Sequence, residues 1–109
     1  MRTWPLLAGL LTLLLPTTLI GCGPGVDIAI DGSSTVGPIT QYVAVAFSRQ
    51  HRHVNVAIAE NGSGGGFKKF CRGETDVTGA SRPITNEEKE LCAQNNVEFI
   101  EMPIAIDAL

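Results

Sequence analysis

The sequence predicts an α/β fold built on a parallel sheet. Three observations carry that expectation. Apolar side chains alternate in short runs at Val26–Ile30, Val54–Ala59 and Val97–Glu101, the period of a half-buried strand. Between such runs they recur at helical spacing, most clearly at Ile39, Tyr42, Val43, Ala46 and Phe47. Strand and helix then alternate along the chain, an order that favours parallel strands joined by right-handed crossovers.

The N-terminal segment stands apart from this pattern. Arg2 is followed by a stretch of Leu, Ala, Gly and Thr from Leu6 to Leu15. That stretch is too short to span a bilayer, which takes about 20 residues, but it suits the apolar region of an export signal. It ends in Leu19-Ile20-Gly21-Cys22, which resembles the lipobox of bacterial lipoproteins. The resemblance implies cleavage before Cys22 and a lipid on that cysteine. Residues 1–21 are therefore expected to be the signal peptide and 22–25 a lipidated cysteine with a short tether, leaving 26–109 as the folded unit. With Arg2 gone, seven basic residues face eleven acidic ones, a net charge of −4. An acidic domain gains no long-range attraction for nucleic acid. Any anion it binds must be held by oriented backbone dipoles and a few local cations.

Taken in order, the first strand is predicted over Val26–Ile30 and the first helix over Pro38–His51, with proline suited to its first turn. Arg49, His51, Arg52 and His53 fall where positive charge favours the helix dipole. The His-x-His pair could also ligate a metal, but no neighbouring carboxylate or cysteine completes a set. Val54–Ala59 reads as the second strand and leads into the loop Glu60–Gly66. Phe67, Phe70 and Cys71 then mark one face of a short helix stopped by Gly73. Asp76–Ala80 is a third strand and Ser81–Pro83 a third loop. The next helix has a clear start, since Thr85-Asn86-Glu87-Glu88 matches a capping box, and it ends near Asn95 and Asn96. Val97–Glu101 is expected to be a fourth strand. The apolar run Pro103–Leu109 has no polar or glycine-rich close, so the chain is expected to belong to a longer protein. Once Cys22 is lipidated, Cys71 and Cys92 remain as an even pair. They are read either as a bridge, which export permits and which would contribute roughly 3 kcal/mol, or as two buried thiols.

In a parallel sheet every strand-to-helix loop lies at the carboxyl edge of the strands, where open α/β sheets bind their ligands. Gly32–Gly37, Glu60–Gly66 and Ser81–Pro83 are all loops of this kind. Together they offer the hydroxyls of Ser33, Ser34, Thr35, Ser63 and Ser81, many backbone N–H groups and the Arg82 guanidinium. Donors dominate, which suits a small oxyanion. Other glycine motifs fail on their own residues. A Walker A loop or a dinucleotide fingerprint meets Phe67 where Lys or Gly is required, and a nucleophile elbow meets Val36 where its second glycine belongs. An exported phosphatase with Ser33 or Thr35 as nucleophile lacks a nearby histidine base.

At these residues the chain resembles the substrate-binding lipoproteins of bacterial phosphate ABC transporters, the PstS type. The resemblance rests on Asp31-Gly32-Ser33-Ser34-Thr35-Val36, Gly62-Ser63-Gly64-Gly65-Gly66 and Ala80-Ser81-Arg82-Pro83, in that order, and covers the whole mature chain. Cys71, Cys92 and the segment from Phe99 to Ile104 also look like one branch of the family. It implies a type II periplasmic-binding-protein clamshell, of which this chain is one parallel-sheet lobe with the second lobe missing. It also implies export and lipid anchoring in the cell envelope, delivery of inorganic phosphate to ABC permease subunits, no enzymatic step, no cofactor and no metal. Phosphate would be held by the Thr35 hydroxyl and N–H, the Val36 N–H, Ser63, Ser81 and Arg82, with Ser34 beside them.

Two departures bear on that expectation. The best-known branch carries an aspartate in place of Ser81, which accepts the proton of bound phosphate and so rejects sulfate. With serine there, sulfate or another tetrahedral oxyanion stays open as ligand, as does a sensor or surface-protein role. Family members are also far longer, and their second lobe brings its own Arg and Ser-Gly-Thr ligands. One lobe alone is expected to bind phosphate weakly. Calorimetry on residues 23–109 should show no site of micromolar affinity, and finding one would contradict this reading.

Overall fold

The computed structural model describes residues 25–106, so the signal segment, Cys22 and the last three residues lie outside it. Its elements are β1 (Ile28–Gly32), α1 (Gly37–Gln50), β2 (Val56–Ile58), α2 (Gly62–Phe70), β3 (Val77–Gly79) and α3 (Asn86–Gln94). The three strands form one parallel sheet in the order β2-β1-β3. Ile30 pairs with both Ile58 and Val77, which places β1 at the centre.

Successive residues of a strand face opposite sides, and β3 shows which helix lies where. A side chain at Gly79 would meet Val36 and Thr40, at the start of α1, whereas Thr78 lies under Gly66 of α2. So α1 covers one face, and α2 covers the other. α3 joins α2 through the disulfide Cys71–Cys92, with both sulfurs fully enclosed. The buried core lies between these two helices. Phe67, Cys71, Ile84 and Cys92 form it, with Phe70, Ala80, Leu91 and Val97 packed against it. The apolar side chains that define the helical pattern of α1 are far less covered. Ile39, Tyr42 and Val43 are exposed by 48%, 79% and 57%, and α1 rests mainly on β2.

Two sequence expectations are corrected. The glycine run is not a loop preceding a helix, because α2 already begins at Gly62. Tertiary contact overrides the poor helix propensity of glycine here. A Cβ on Gly66 would stand 2.6 Å from the Gly32 α-carbon and 2.5 Å from the Thr78 hydroxyl. Only glycine lets α2 sit this close to β1. The fourth strand is also absent, and residues 97–106 carry no regular structure. α3 ends in a Schellman turn, with Asn96 at φ 55° and the Val97 N–H donating to the Cys92 carbonyl. Val97 then packs on the core, and Phe99 meets Phe70 edge-to-face with centroids 6.3 Å apart. A strand needs a neighbour for its ladder, and among the described residues none lies beside this segment. Ile100 and Met102 are left exposed by 89% and 74%. The capping box is present as expected: Thr85 accepts from the Glu88 N–H, and the Glu88 side chain accepts from the Thr85 N–H.

The seating of α2 gives a direct test. Alanine is the better helix former by about 1 kcal/mol, so propensity alone favours Gly66→Ala. The backbone it would strike cannot swing aside, and overpacking of this kind costs roughly 1–3 kcal/mol or more. Urea denaturation should therefore show a net loss of about 1 kcal/mol or more; a raised stability would contradict this packing.

Candidate anion site at the carboxyl edge of the sheet

The first loop leaves β1 through Gly32, whose φ of 149° few other residues adopt and whose α-carbon lies against the Gly79 backbone. The next N–H, of Ser33, donates to the Gly79 carbonyl at 2.8 Å and binds this loop to the end of β3. Ser33 itself is buried and serves the loop internally. Its Oγ accepts from the Thr35 N–H at 3.2 Å, and its carbonyl accepts from Val36 and Gly37 at 3.2 and 3.0 Å. The start of α1 is thus already satisfied, and Pro38 has no N–H to offer. What the loop presents outward are the exposed Ser34 and Thr35 and the Ser34 N–H, which has no protein acceptor among the described residues.

The second loop behaves differently. Asn61 occupies the N-cap of α2 but makes no side-chain cap bond. Its amide donates instead to Asp31 at 2.6 Å. The N–H groups of the first helical turn have no intrahelical partner by geometry. Those of Ser63 and Gly64 have no other acceptor among the described residues, so they stand open at the positive end of the helix dipole. The Ser63 Oγ accepts from the Ser81 N–H at 3.1 Å and lies 3.3 Å from the Ser81 Oγ. The first turn of α2 and the third loop therefore touch through their serines.

Arg82 completes the cluster. Its guanidinium lies over the Phe67 ring at 5.2 Å, with one terminal nitrogen 3.5 Å from where a Gly64 side chain would begin. Glu88 holds it from behind in a two-pronged pair, at 2.9 and 2.7 Å, and the Pro83 carbonyl accepts a third bond at 3.0 Å. Three of its five N–H groups are used, and the other two have no acceptor among the described residues. The Glu88 hydrogen bond raises the Arg82 pKa, against the opposing effect of burial. That same bond lowers Glu88 to about 2, burial opposing and the Thr85 N–H assisting.

Asp31 lies beneath this edge and is 2% exposed. Desolvation pushes its carboxyl up, but Lys69, both Asn61 donors and the Gly32 N–H together outweigh that and lower it to about 2.

Of the residues singled out in the sequence, the fold brings Ser63, Ser81 and Arg82 into one contiguous group. Ser34, Thr35 and Val36 lie on the adjoining loop of the same edge, with no hydrogen bond to that group among the described residues. The Val36 N–H, expected to face the ligand, donates to the Ser33 carbonyl. Sequence reasoning missed Asp31 and Asn61, and took Glu88 for a helix cap alone. The one available signal was Asp31 itself, an acidic residue closing an otherwise apolar strand and followed by glycine.

A family model for a PBP superfamily domain matches residues 22–109. The chain belongs to the PBP superfamily. Among its PBP relatives, phosphate-binding protein PstS of Staphylococcus saprophyticus is 42% identical over 89 residues, which cover 82% of this chain and 28% of that protein. A crystal structure of a possible phosphate binding protein from Planctomyces limnophilus superposes with a TM-score of 0.65 at 47% identity, covering 70% of this chain and 28% of that one. An ABC-type phosphate transport receptor from Vibrio cholerae gives 0.54 at 33% identity, over 56% and 24%. The chain spans about a quarter of the length of the curated relatives it matches.

Three carboxyls are lowered in the folded chain, and Asp31 and Glu88, each brought to about 2, contribute to the acid stability of this PBP lobe. A depressed folded-state pKa contributes stability that is present above the unfolded value and lost as pH falls through the folded one. For Asp31 and Glu88 that window runs from their ordinary 3.8 and 4.5 down to about 2. Circular dichroism should show stability level down to about pH 5 and falling steeply below it. In Lys69→Met the folded-state pKa of Asp31 moves up toward the unfolded one, so stability at neutral pH should be lower and the acid fall shallower. A curve as steep as that of the wild type would contradict the role given to Lys69.

Proposed function

We propose that this chain supplies one lobe of an exported phosphate-binding protein, anchored through a lipid on Cys22, that delivers inorganic phosphate to an ABC permease. One observation carries the reading: the open first-turn amides of α2 stand beside the touching hydroxyls of Ser63 and Ser81 and the Arg82 guanidinium. That set consists almost wholly of donors, fixed in place before any ligand arrives, at the edge where α/β sheets bind ligands. The names of the relatives point to the same ligand.

Binding in this reading is reversible and non-covalent. Ser63 and Ser81 donate hydroxyl hydrogens, Arg82 uses its free N–H groups, and Ser34 and Thr35 close the site from the adjoining loop. Val36 contributes only by sharing an N–H already given to Ser33. Because Glu88 balances the Arg82 charge, the pull on the anion is local and directional. Serine hydroxyls can also accept, so the P–OH of hydrogen phosphate finds a partner that sulfate does not need. The preference for phosphate is therefore modest.

Titration of the 15N-labelled chain with millimolar phosphate checks this. Amide shifts should concentrate at Ser34, Thr35, Ser63, Gly64, Ser81 and Arg82, with sulfate acting more weakly at the same residues. Ser81→Ala should weaken the response roughly tenfold, the loss of one hydrogen bond to a charged group. Shifts centred on Arg49 and Arg52 instead would overturn the site.

A further inference from the structure

Asp31 is a buried charge with no part in the anion site as described. Each of its oxygens accepts two hydrogen bonds. Oδ1 takes the main-chain N–H of Gly32 at 2.7 Å and of Asn61 at 2.9 Å. Oδ2 takes the Asn61 side-chain amide at 2.6 Å and the Lys69 ammonium at 2.8 Å. Four bonds saturate a carboxylate, so it has no capacity left for a ligand. Its partners define its work instead. Gly32 is the exit of β1 into the first loop, Asn61 is the N-cap of α2, and Lys69 sits in the last turn of α2.

The bond to Asn61 has a chemical consequence. Asparagine at an N-cap ordinarily turns its side-chain oxygen onto the N–H groups of the first turn. Here that side chain is drawn away, and no cap bond forms. We propose that Asp31 is a positioning residue for the anion site: it holds Asn61 off its own helix, leaving the Ser63 and Gly64 amides open, and locks that turn against the first loop. This rests on the oxyanion reading given above, but its first half can be tested without any ligand.

In Asp31→Asn the new amide cannot take all four donors, and Asn61 is released to cap α2. Hydrogen exchange at the Ser63 and Gly64 amides should then slow several-fold, although a merely loosened structure would speed it. The phosphate concentration that half-saturates the amide shifts should rise about tenfold, as expected for losing one or two donors. Adding Asn61→Gly, which cannot cap through a side chain, should restore fast exchange and recover part of the response. Ile84→Val, a destabilising change in the core that leaves Asp31 and Asn61 untouched, should leave both readouts in place. If Asp31→Asn does not fold, Asn61→Asp serves instead. Asp31 repels the new carboxylate, which should turn to cap the helix and slow the same two amides. Unchanged or faster exchange at Ser63 and Gly64, in whichever variant folds, overturns the proposal. A wild-type chain whose amides ignore phosphate would instead sink the oxyanion reading and leave the exchange result to judge Asp31.

Discussion

The close seating of α2 on β1 is the contact from which the rest of this fold follows. Gly66 lies where even a methyl group would strike the Gly32 backbone and the Thr78 hydroxyl. Four of the nine residues in α2 are glycine, and each weakens an isolated helix by as much as 1 kcal/mol. A helix this short is also marginal on its own. It persists because it is held at both ends, by Asp31 through Asn61 and Lys69 and by the disulfide that follows at Cys71. The same approach carries Ser63 onto Ser81 and sets Arg82 beside Gly64.

Two carboxylates then divide the electrostatic work. Asp31 neutralises Lys69 beneath the sheet edge, and Glu88 neutralises Arg82 beside it. Each also takes an N–H at a helix start, Asn61 for α2 and Thr85 for α3. With the cations balanced, the positive character of the mouth comes from backbone dipoles and the remaining guanidinium hydrogens. Such an arrangement suits a chain of net charge −3, which has no general attraction for anions and must bind one by aimed donors.

Periodicity and turn chemistry made the strand and helix order legible, and the capping box at Thr85 fixed the start of α3 to the residue. These are local features, set by side-chain spacing and by bonds that span three or four positions. The expected fourth strand failed for the opposite reason. Val97–Glu101 has the alternation of a strand, but alternation describes a half-buried ribbon and does not supply the neighbour whose N–H and carbonyl groups complete it. The start of α2 was misread because glycine is penalised by propensity, and only contact with β1 reverses that penalty.

The candidate site divides along the same line. Sequence alone determined that three donor-rich stretches follow three strands, because their composition and the strand order are both written along the chain. It could not decide that Ser63 meets Ser81, that Glu88 turns back onto Arg82, or that Asp31 withdraws Asn61 from its helix. Those pairs are 18, 6 and 30 residues apart. They exist only once the sheet has folded and burial has made an unpaired carboxylate too costly to leave alone.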